Sequence, residues 1–188
     1  YNFDWGVGHT HTISAPIEQR DANGRLWRFK SWSNGGEAEQ TIVVPSDAVE
    51  KGFRLVANYE MLGQLTVNSE PGSLKFNVGG TECTTPCTLD RASDEEVSII
   101  PQQSQEISPD TKMELTGWDD GGTGERTYVF SQEAKTLTAR YQYQHKLTLV
   151  SDPEGGADWK LEPAAGPGWF FTAGVHVDVN VAANKGFK

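Results

Sequence analysis

The chain is poor in the residues that announce most chemistries. Of its 188 residues, two are cysteine and four are histidine. Cys83 and Cys87 stand in a C-x₃-C spacing around Pro86, with no second pair of ligands nearby. That is no strong zinc pattern, and it lacks the C-x-x-C spacing of redox pairs. Basic residues are outnumbered, 16 Lys and Arg against 26 Asp and Glu, for a net charge of −10. No basic run is present, so phosphate backbones and anionic lipid surfaces are repelled and neither nucleic acid nor a membrane surface is an expected partner. No apolar stretch approaches the roughly 20 residues that span a bilayer. No Ser-His-Asp order, phosphate-cradling glycine loop or paired-acid signature stands out, so no enzyme activity and no cofactor are expected. No convincing helix is visible either. The best candidate, Ser131 to Ala139, alternates Thr136 and Thr138 with Leu137 and Ala139, which suits a strand.

What the chain does have is tryptophan, glycine and an internal copy. Hydrophobic residues make up 36 %, with six Trp and 20 Gly, enough for compact cores in one or two domains. Ser31-Trp32-Ser33-Asn34-Gly35-Gly36 reappears as Gly117-Trp118-Asp119-Asp120-Gly121-Gly122, with 118 − 32 = 86 residues between the tryptophans. Glu39 to Val44 answers to Glu125 to Phe130, and Val56-Ala57-Asn58-Tyr59 to Thr138-Ala139-Arg140-Tyr141. Leu65 to Pro71 answers to Leu147 to Pro153, where the offset is 147 − 65 = 82. The second copy is shorter where Val49-Glu50-Lys51-Gly52 lengthens a turn. A period of this size is longer than a solenoid repeat and close to a small β-sandwich.

Short strand signals recur between Gly, Pro, Asn and Asp punctuation, which predicts an all-β fold of immunoglobulin-like sandwich modules. In the middle copy they fall at Gln64 to Asn68, Ser73 to Val78, Cys87 to Leu89, Glu96 to Ile100, Met113 to Trp118, Arg126 to Phe130 and Thr136 to Tyr141. Gln102 to Asp110 is polar and predicts a loop. The first copy supplies only late strands, at His11 to Ser14, Leu26 to Trp32, Gln40 to Val44 and Phe53 to Tyr59. The third supplies only early ones, at Lys146 to Val150, Ala157 to Leu161, Trp169-Phe170-Phe171 and Val175 to Val181. The chain therefore reads as the closing half of a repeat over 1–61, a complete repeat over 62–145 and the opening half of another over 146–188. Open half-sandwiches expose strand edges and apolar faces. Relief comes from neighbouring repeats of the same polypeptide, from pairing within the chain, or from other copies of the chain. The first residue, Tyr1, is not Met, and Asn184 to Lys188 stop inside a pattern, so the expectation is a processed chain or a piece of a longer polypeptide.

Trp32, Trp118, Tyr59 and Tyr141 occupy matched places and are expected to be repeat core. Trp159, Trp169 and Phe170 are not shared between copies, and Trp169-Phe170-Phe171 follows Gly166-Pro167-Gly168. They are the candidates for a ligand-binding face, against burial at a domain junction. For Cys83 and Cys87 the first choice is a local disulfide, which points to an oxidising compartment; two free buried thiols are the alternative. His9 and His11 project from one strand face, but no third ligand supports them, so no metal site is expected. Asp119-Asp120 resembles a calcium loop only loosely, and its counterpart Ser33-Asn34 carries no carboxylate. Like Glu70 and Asp152, which precede Pro71 and Pro153, these acids read as turn residues.

Leu65 to Gly72, followed by Leu74 to Gly80 and Thr85-Pro86, resembles a PEGA-type bacterial surface domain. The later part, a strand into Trp118, Gly121-Gly122 and Leu137-Thr138-Ala139-Arg140-Tyr141, is similar to the closing half of divergent internalin B-type repeats. Ala57-Asn58-Tyr59 fits that ending directly, and Ala139-Arg140-Tyr141 departs by one residue. The resemblance implies a secreted or cell-surface bacterial protein in which such modules are spacers, stalks or adhesive repeats, and it brings no catalytic residue. The expected function is a non-catalytic extracellular structural or adhesive repeat, with a glycan or surface protein as a candidate partner. The alternative is a carbohydrate-binding module attached to a secreted enzyme.

Overall fold

The computed structural model describes residues 2–184; Tyr1 and residues 185–188 lie outside the described part, and with them most of the Asn184 to Lys188 ending. The described residues are almost entirely strand and turn. In chain order the strands are β1 (Thr10–Ser14), β2 (Glu18–Arg20), β3 (Leu26–Trp32), β4 (Glu39–Val43), β5 (Ala57–Met61), β6 (Gly63–Glu70), β7 (Lys75–Val78), β8 (Thr81–Thr84) and β9 (Cys87–Arg91). They continue with β10 (Glu96–Pro101), β11 (Ser104–Ser108), β12 (Thr111–Trp118), β13 (Arg126–Val129), β14 (Lys135–Lys146), β15 (Ala157–Glu162), β16 (Phe170–Thr172) and β17 (Asp178–Ala183). A helical turn, Ala48–Lys51, and a short 3₁₀ turn, Pro167–Trp169, are the helical pieces among the described residues.

The chain divides into two compact units. One holds the residues up to Leu65 with Thr88–Glu96 and Val129–Lys135; the other holds Thr66–Cys87, Val97–Tyr128 and the chain from Thr136 onward. In the first unit β1 pairs antiparallel with β4, and a second sheet runs β2-β3-β5. Period-two alternation places His11 and Ile13 inward and Thr10, Thr12 and Ser14 outward. Ile42, Val44, Leu62, Leu65 and Phe130 are its buried apolar residues.

In the second unit one sheet has the order β13-β10-β7-β8 and the other β11-β12-β14-β6-β9, with β16 added against β14. β6 starts in the first unit and runs into the second, and β9 does the reverse. Alternation again builds the core. Val67 comes from β6, Phe76 and Val78 from β7, Val97 and Ile99 from β10, Met113 and Trp118 from β12, and Leu137, Ala139 and Tyr141 from β14. Phe76 on one sheet meets Trp118 and Tyr141 on the other edge-on, with centroids 6.0 and 6.3 Å apart. Two sheets joined by such an aromatic layer form a sandwich.

Several local expectations are corrected. Gln102 to Asp110 is not a loop: it contains β11, an edge strand, whose exposed face has no reason to be apolar. Its one buried residue, Gln105, exchanges hydrogen bonds with Lys75, accepting from the backbone N–H at 2.8 Å and donating to the carbonyl at 3.1 Å. β2 and β8 are likewise short polar strands with no apolar alternation to betray them. Beyond Lys146 the expected strand through Val150 is absent, and the Leu147 N–H donates to the Trp169 carbonyl instead. The Val49 to Gly52 turn closes as one helical turn. It buries nothing, is held by the Lys51–Asp47 pair at 3.1 Å, and ends at Gly52 with φ +71°.

Candidate functional site

The tryptophan corners are built by the same bonds in both copies. The indole Nε1 of Trp32 donates to the Ala38 carbonyl at 3.2 Å, and that of Trp118 to the Gly124 carbonyl at 2.9 Å. The Gly35 and Gly121 N–H groups donate back to the Trp32 and Trp118 carbonyls. The Trp32 and Trp118 N–H groups donate to the Gly36 and Gly122 carbonyls. Ser33 and Asp119 then perform one task with different atoms. Each donates its N–H across to the paired strand, to the Val56 or the Thr138 carbonyl. Each accepts the N–H of that residue on a side-chain oxygen, at 3.1 Å in both cases.

The agreement extends along the strands. A register shift falls between Phe29 and Ser31 in the β3–β5 pair and between Leu115 and Gly117 in the β12–β14 pair, so Trp32 faces Ala57 and Trp118 faces Ala139. Such bulges are specified features rather than accidents of pairing. Tyr59 Oη donates to the Pro16 carbonyl at 2.9 Å and Tyr141 Oη to the Gln102 carbonyl at 2.8 Å. Burial raises the Tyr141 hydroxyl pKa, and the hydrogen bond with Gln105 pulls the other way. At the far end, Gly8 and Asp94 donate their N–H groups to the Val44 and Phe130 carbonyls, with φ +77° and +69°. A left-handed φ suits glycine, and aspartate is among the few other residues that adopt it readily.

The copies differ in how well they are covered. Ile99, Met113, Trp118, Ala139 and Tyr141 are buried, whereas their counterparts Ile13, Trp27, Trp32, Ala57 and Tyr59 are only partly so. The first copy has Phe29 where the middle copy has Leu115. Phe29 lies 6.0 Å from Trp32 and 5.7 Å from Tyr59, against the ring positions that Phe76 meets in the middle copy. At the other end of the chain, β15 repeats the alternation of β7. Ala157, Trp159 and Leu161 are half-buried where Leu74, Phe76 and Val78 are buried, and the turn before them is one residue longer. Opposite Trp159 and Leu161 on β17 stand Val181 and Val179, both exposed.

The remaining candidates separate. Cys83 and Cys87 are joined as a disulfide beside the β7–β8 hairpin. Trp169 is 40 % exposed, while Phe170 is partly buried, with the Lys112 ammonium 4.7 Å from its ring centre. Phe170 borders a hollow of about 390 Å³ that Trp169 does not line; Lys112, Glu114, Gln144 and Val175 also border it, and Gln144 bonds Glu114. Trp159 lies on β15, away from that hollow's lining. Asp120 takes a bidentate bond from Arg126 at 2.7 and 2.9 Å, and the Arg126 guanidinium lies 5.0 Å from the Trp118 ring, so this acid is part of the tryptophan corner. His11 is stacked under Trp5 at 4.0 Å, and His9 is exposed. Among the described residues, no group of three or more His, Cys, Asp or Glu is placed to hold a metal ion.

Sequence reasoning passed over Asp21. Its carboxylate accepts from Trp27 Nε1 at 3.1 Å, from the Arg25 Nε and N–H at 2.8 and 3.0 Å, and from the Asn23 N–H at 2.9 Å. The Trp27 bond leads in holding its pKa down at about 2, below the ordinary 3.8. Asp21 with Asn23 and Gly24 could have been read as a turn that presents a carboxylate to the strand after it.

No protein-family model matches the chain, and no curated protein matches it. Among solved structures it is similar to one described as "Streptococcal High Identity Repeats in Tandem (SHIRT) domains 3-4 from cell surface protein". The identity is 15 % and the TM-score 0.23, over 75 % of this chain and 81 % of that one. No helix among the described residues is long and apolar enough to cross a membrane.

Proposed function

We propose that the chain is a non-catalytic repeat module of an extracellular or cell-surface bacterial protein, serving as a spacer or adhesive segment. The observation that carries this is the bond-for-bond agreement of the Trp32 and Trp118 corners. Copying a stable unit adds length and valency without adding chemistry. The Cys83–Cys87 bridge supports an oxidising location. The spacer, stalk and adhesive roles implied by the PEGA-type and internalin B-type motifs fit the same module.

Binding of the folded protein to a glycan array separates this reading from a carbohydrate-binding module. The expected result is no retained glycan. A glycan held by the wild type and lost in Trp169→Ala would replace the structural reading with the carbohydrate-binding one.

A further inference from the structure

Asparagine is followed by glycine at two places, Asn23-Gly24 and Asn34-Gly35, and both lie in exposed turns of the first copy. The matched places in the middle copy hold Pro109-Asp110 and Asp120-Gly121, so neither pair recurs there. An asparagine before glycine is open to cyclisation, because no Cβ on the glycine obstructs its backbone nitrogen from reaching the asparagine Cγ. The two turns hold that nitrogen alike. The Gly24 N–H donates to the Asp21 carbonyl at 2.9 Å and the Gly35 N–H to the Trp32 carbonyl at 2.8 Å. They differ in the side chain under attack. Asn34 Nδ2 donates to Gln40 Oε1 at 2.9 Å, and Asn34 Oδ1 accepts from Gln40 Nε2 at 3.1 Å and from the Gly36 N–H at 3.3 Å. The Gln40 amide lies so close over Gly36 that a Cβ there would collide with it. The Asn23 amide makes no bond among the described residues, while its backbone N–H donates to Asp21 Oδ1 at 2.9 Å. Arg20 Nη1 donates to the Gly24 carbonyl at 2.7 Å, which sets a positive charge beside the nitrogen that must lose its proton. Arg25, 2.8 Å from the Asp21 carboxylate, offsets the negative charge there.

We propose that Asn23 is a site of spontaneous deamidation, and that the Gln40 clamp withholds Asn34 from the same reaction. The Gly24 nitrogen gives its proton to hydroxide and attacks the Asn23 Cγ. The new C–N bond closes a succinimide ring, the bond from Cγ to the amide nitrogen breaks, and ammonia leaves. Water then adds to one of the two ring carbonyl carbons, and that carbon's bond to the ring nitrogen breaks. Opening at Cγ gives aspartate and opening at the main-chain carbon gives isoaspartate, with no change of oxidation state. Cyclisation requires Cγ to swing onto the following nitrogen. Asn34 must first break its bonds to Gln40 and Gly36, whereas Asn23 breaks none. Either product sets a second carboxylate beside Asp21, and isoaspartate also adds a carbon to the main chain of the turn. That turn presents Asp21 to Trp27 Nε1, so the modification loosens the entry to β3.

Incubating the intact folded protein at mildly alkaline pH, with peptide mapping by mass spectrometry and an isoaspartate assay, tests this. Acid is expected to accumulate at position 23 roughly tenfold faster than at position 34, the difference that two ordinary hydrogen bonds make. The Trp27 indole signal shifts in step with the reaction at position 23. In protein unfolded by urea the two sites react at similar rates, because the clamp is gone. Gln40→Ala brings the rate at Asn34 up to that at Asn23 and leaves Asn23 unchanged, with protection of the Ser33 amide verifying that the Trp32 corner is still folded. An Asn34 that reacts as fast as Asn23 in the folded wild type would overturn the proposal. So would an Asn23 that stays intact in folded protein, the same rate ratio in urea, or an Asn34 that stays slow in folded Gln40→Ala.

Discussion

Replacing each of the paired tryptophans by alanine measures how complete each core is. Trp118 is 5 % exposed, meets Phe76 edge-on and donates its indole N–H to Gly124. Removing a ring so enclosed costs about 3–5 kcal/mol, combining lost transfer energy with the cavity left behind. Trp32 makes the same indole bond, but its ring is only partly covered, and its aromatic neighbour, Phe29, comes from its own strand. A partly exposed ring has less transfer energy to lose and its site fills with water, so Trp32→Ala costs about 1–2 kcal/mol. Amide hydrogen exchange separates the two copies and needs no assumption of a single unfolding transition. A loss of about 4 kcal/mol speeds exchange of the Gln142 amide, which faces β12, roughly a thousandfold, against roughly tenfold for the matching Glu60 amide, which faces β3, in Trp32→Ala. Equal losses in the two variants, or a Trp118→Ala loss below about 1 kcal/mol, would refute the reasoning.

Three further outcomes follow from single contacts. An ideal Cβ at Gly63 sits 1.7 Å from the Ser131 carbonyl oxygen, so Gly63→Ala forces backbone apart and costs about 3 kcal/mol, read as a fall in urea midpoint. Gly24→Ala meets nothing within 4 Å and strains only φ +79°, for about 1 kcal/mol, and an equal effect would remove the steric explanation. The Asp21 carboxylate has its pKa lowered on folding, so its stabilisation is complete above the ordinary 3.8 and is lost as pH falls toward about 2. In an NMR titration the Trp27 indole signal moves with a midpoint near 2; an indole signal that stays still through that range in folded protein would show that the bond to Asp21 is not made, and a midpoint near 4 that the bonds do not lower the carboxyl's pKa. The unreduced protein has a mass two protons below the reduced one and takes up no thiol reagent when unfolded. Reducing a bridge whose cysteines are 4 residues apart costs about 2 kcal/mol at most, and two alkylated cysteines without reductant would disprove it.

The strands most legible in the sequence are those with one face in the core. Val97 and Ile99, Met113 and Leu115, and Leu137 and Ala139 alternate because period two puts every second residue inside. The strands that escaped, β2, β8 and β11, are polar edge strands, each paired with its neighbour in the chain across a turn. Backbone hydrogen bonding leaves no mark on side-chain pattern there. The tryptophan corners were legible because the chain repeats them, although the exchange of Ser33 for Asp119 hid that both side chains accept the same kind of backbone bond. Asp21 was hidden for a different reason. Its partners Arg25 and Trp27 matter only once the turn brings them to one carboxylate. That β1 and β15 each stand in a sheet of two among the described residues became visible only when strand order was known.

Residue-resolved amide exchange tests most directly whether one β unit stands twice in this chain. The N–H groups of Phe29 and Leu115, Ser33 and Asp119, and Val44 and Phe130 are matched donors to matched carbonyls. Both members of every pair are predicted to be protected, with the first-copy member the faster to exchange. Protection of Leu115, Asp119 and Phe130 beside unprotected Phe29, Ser33 and Val44 would contradict the account.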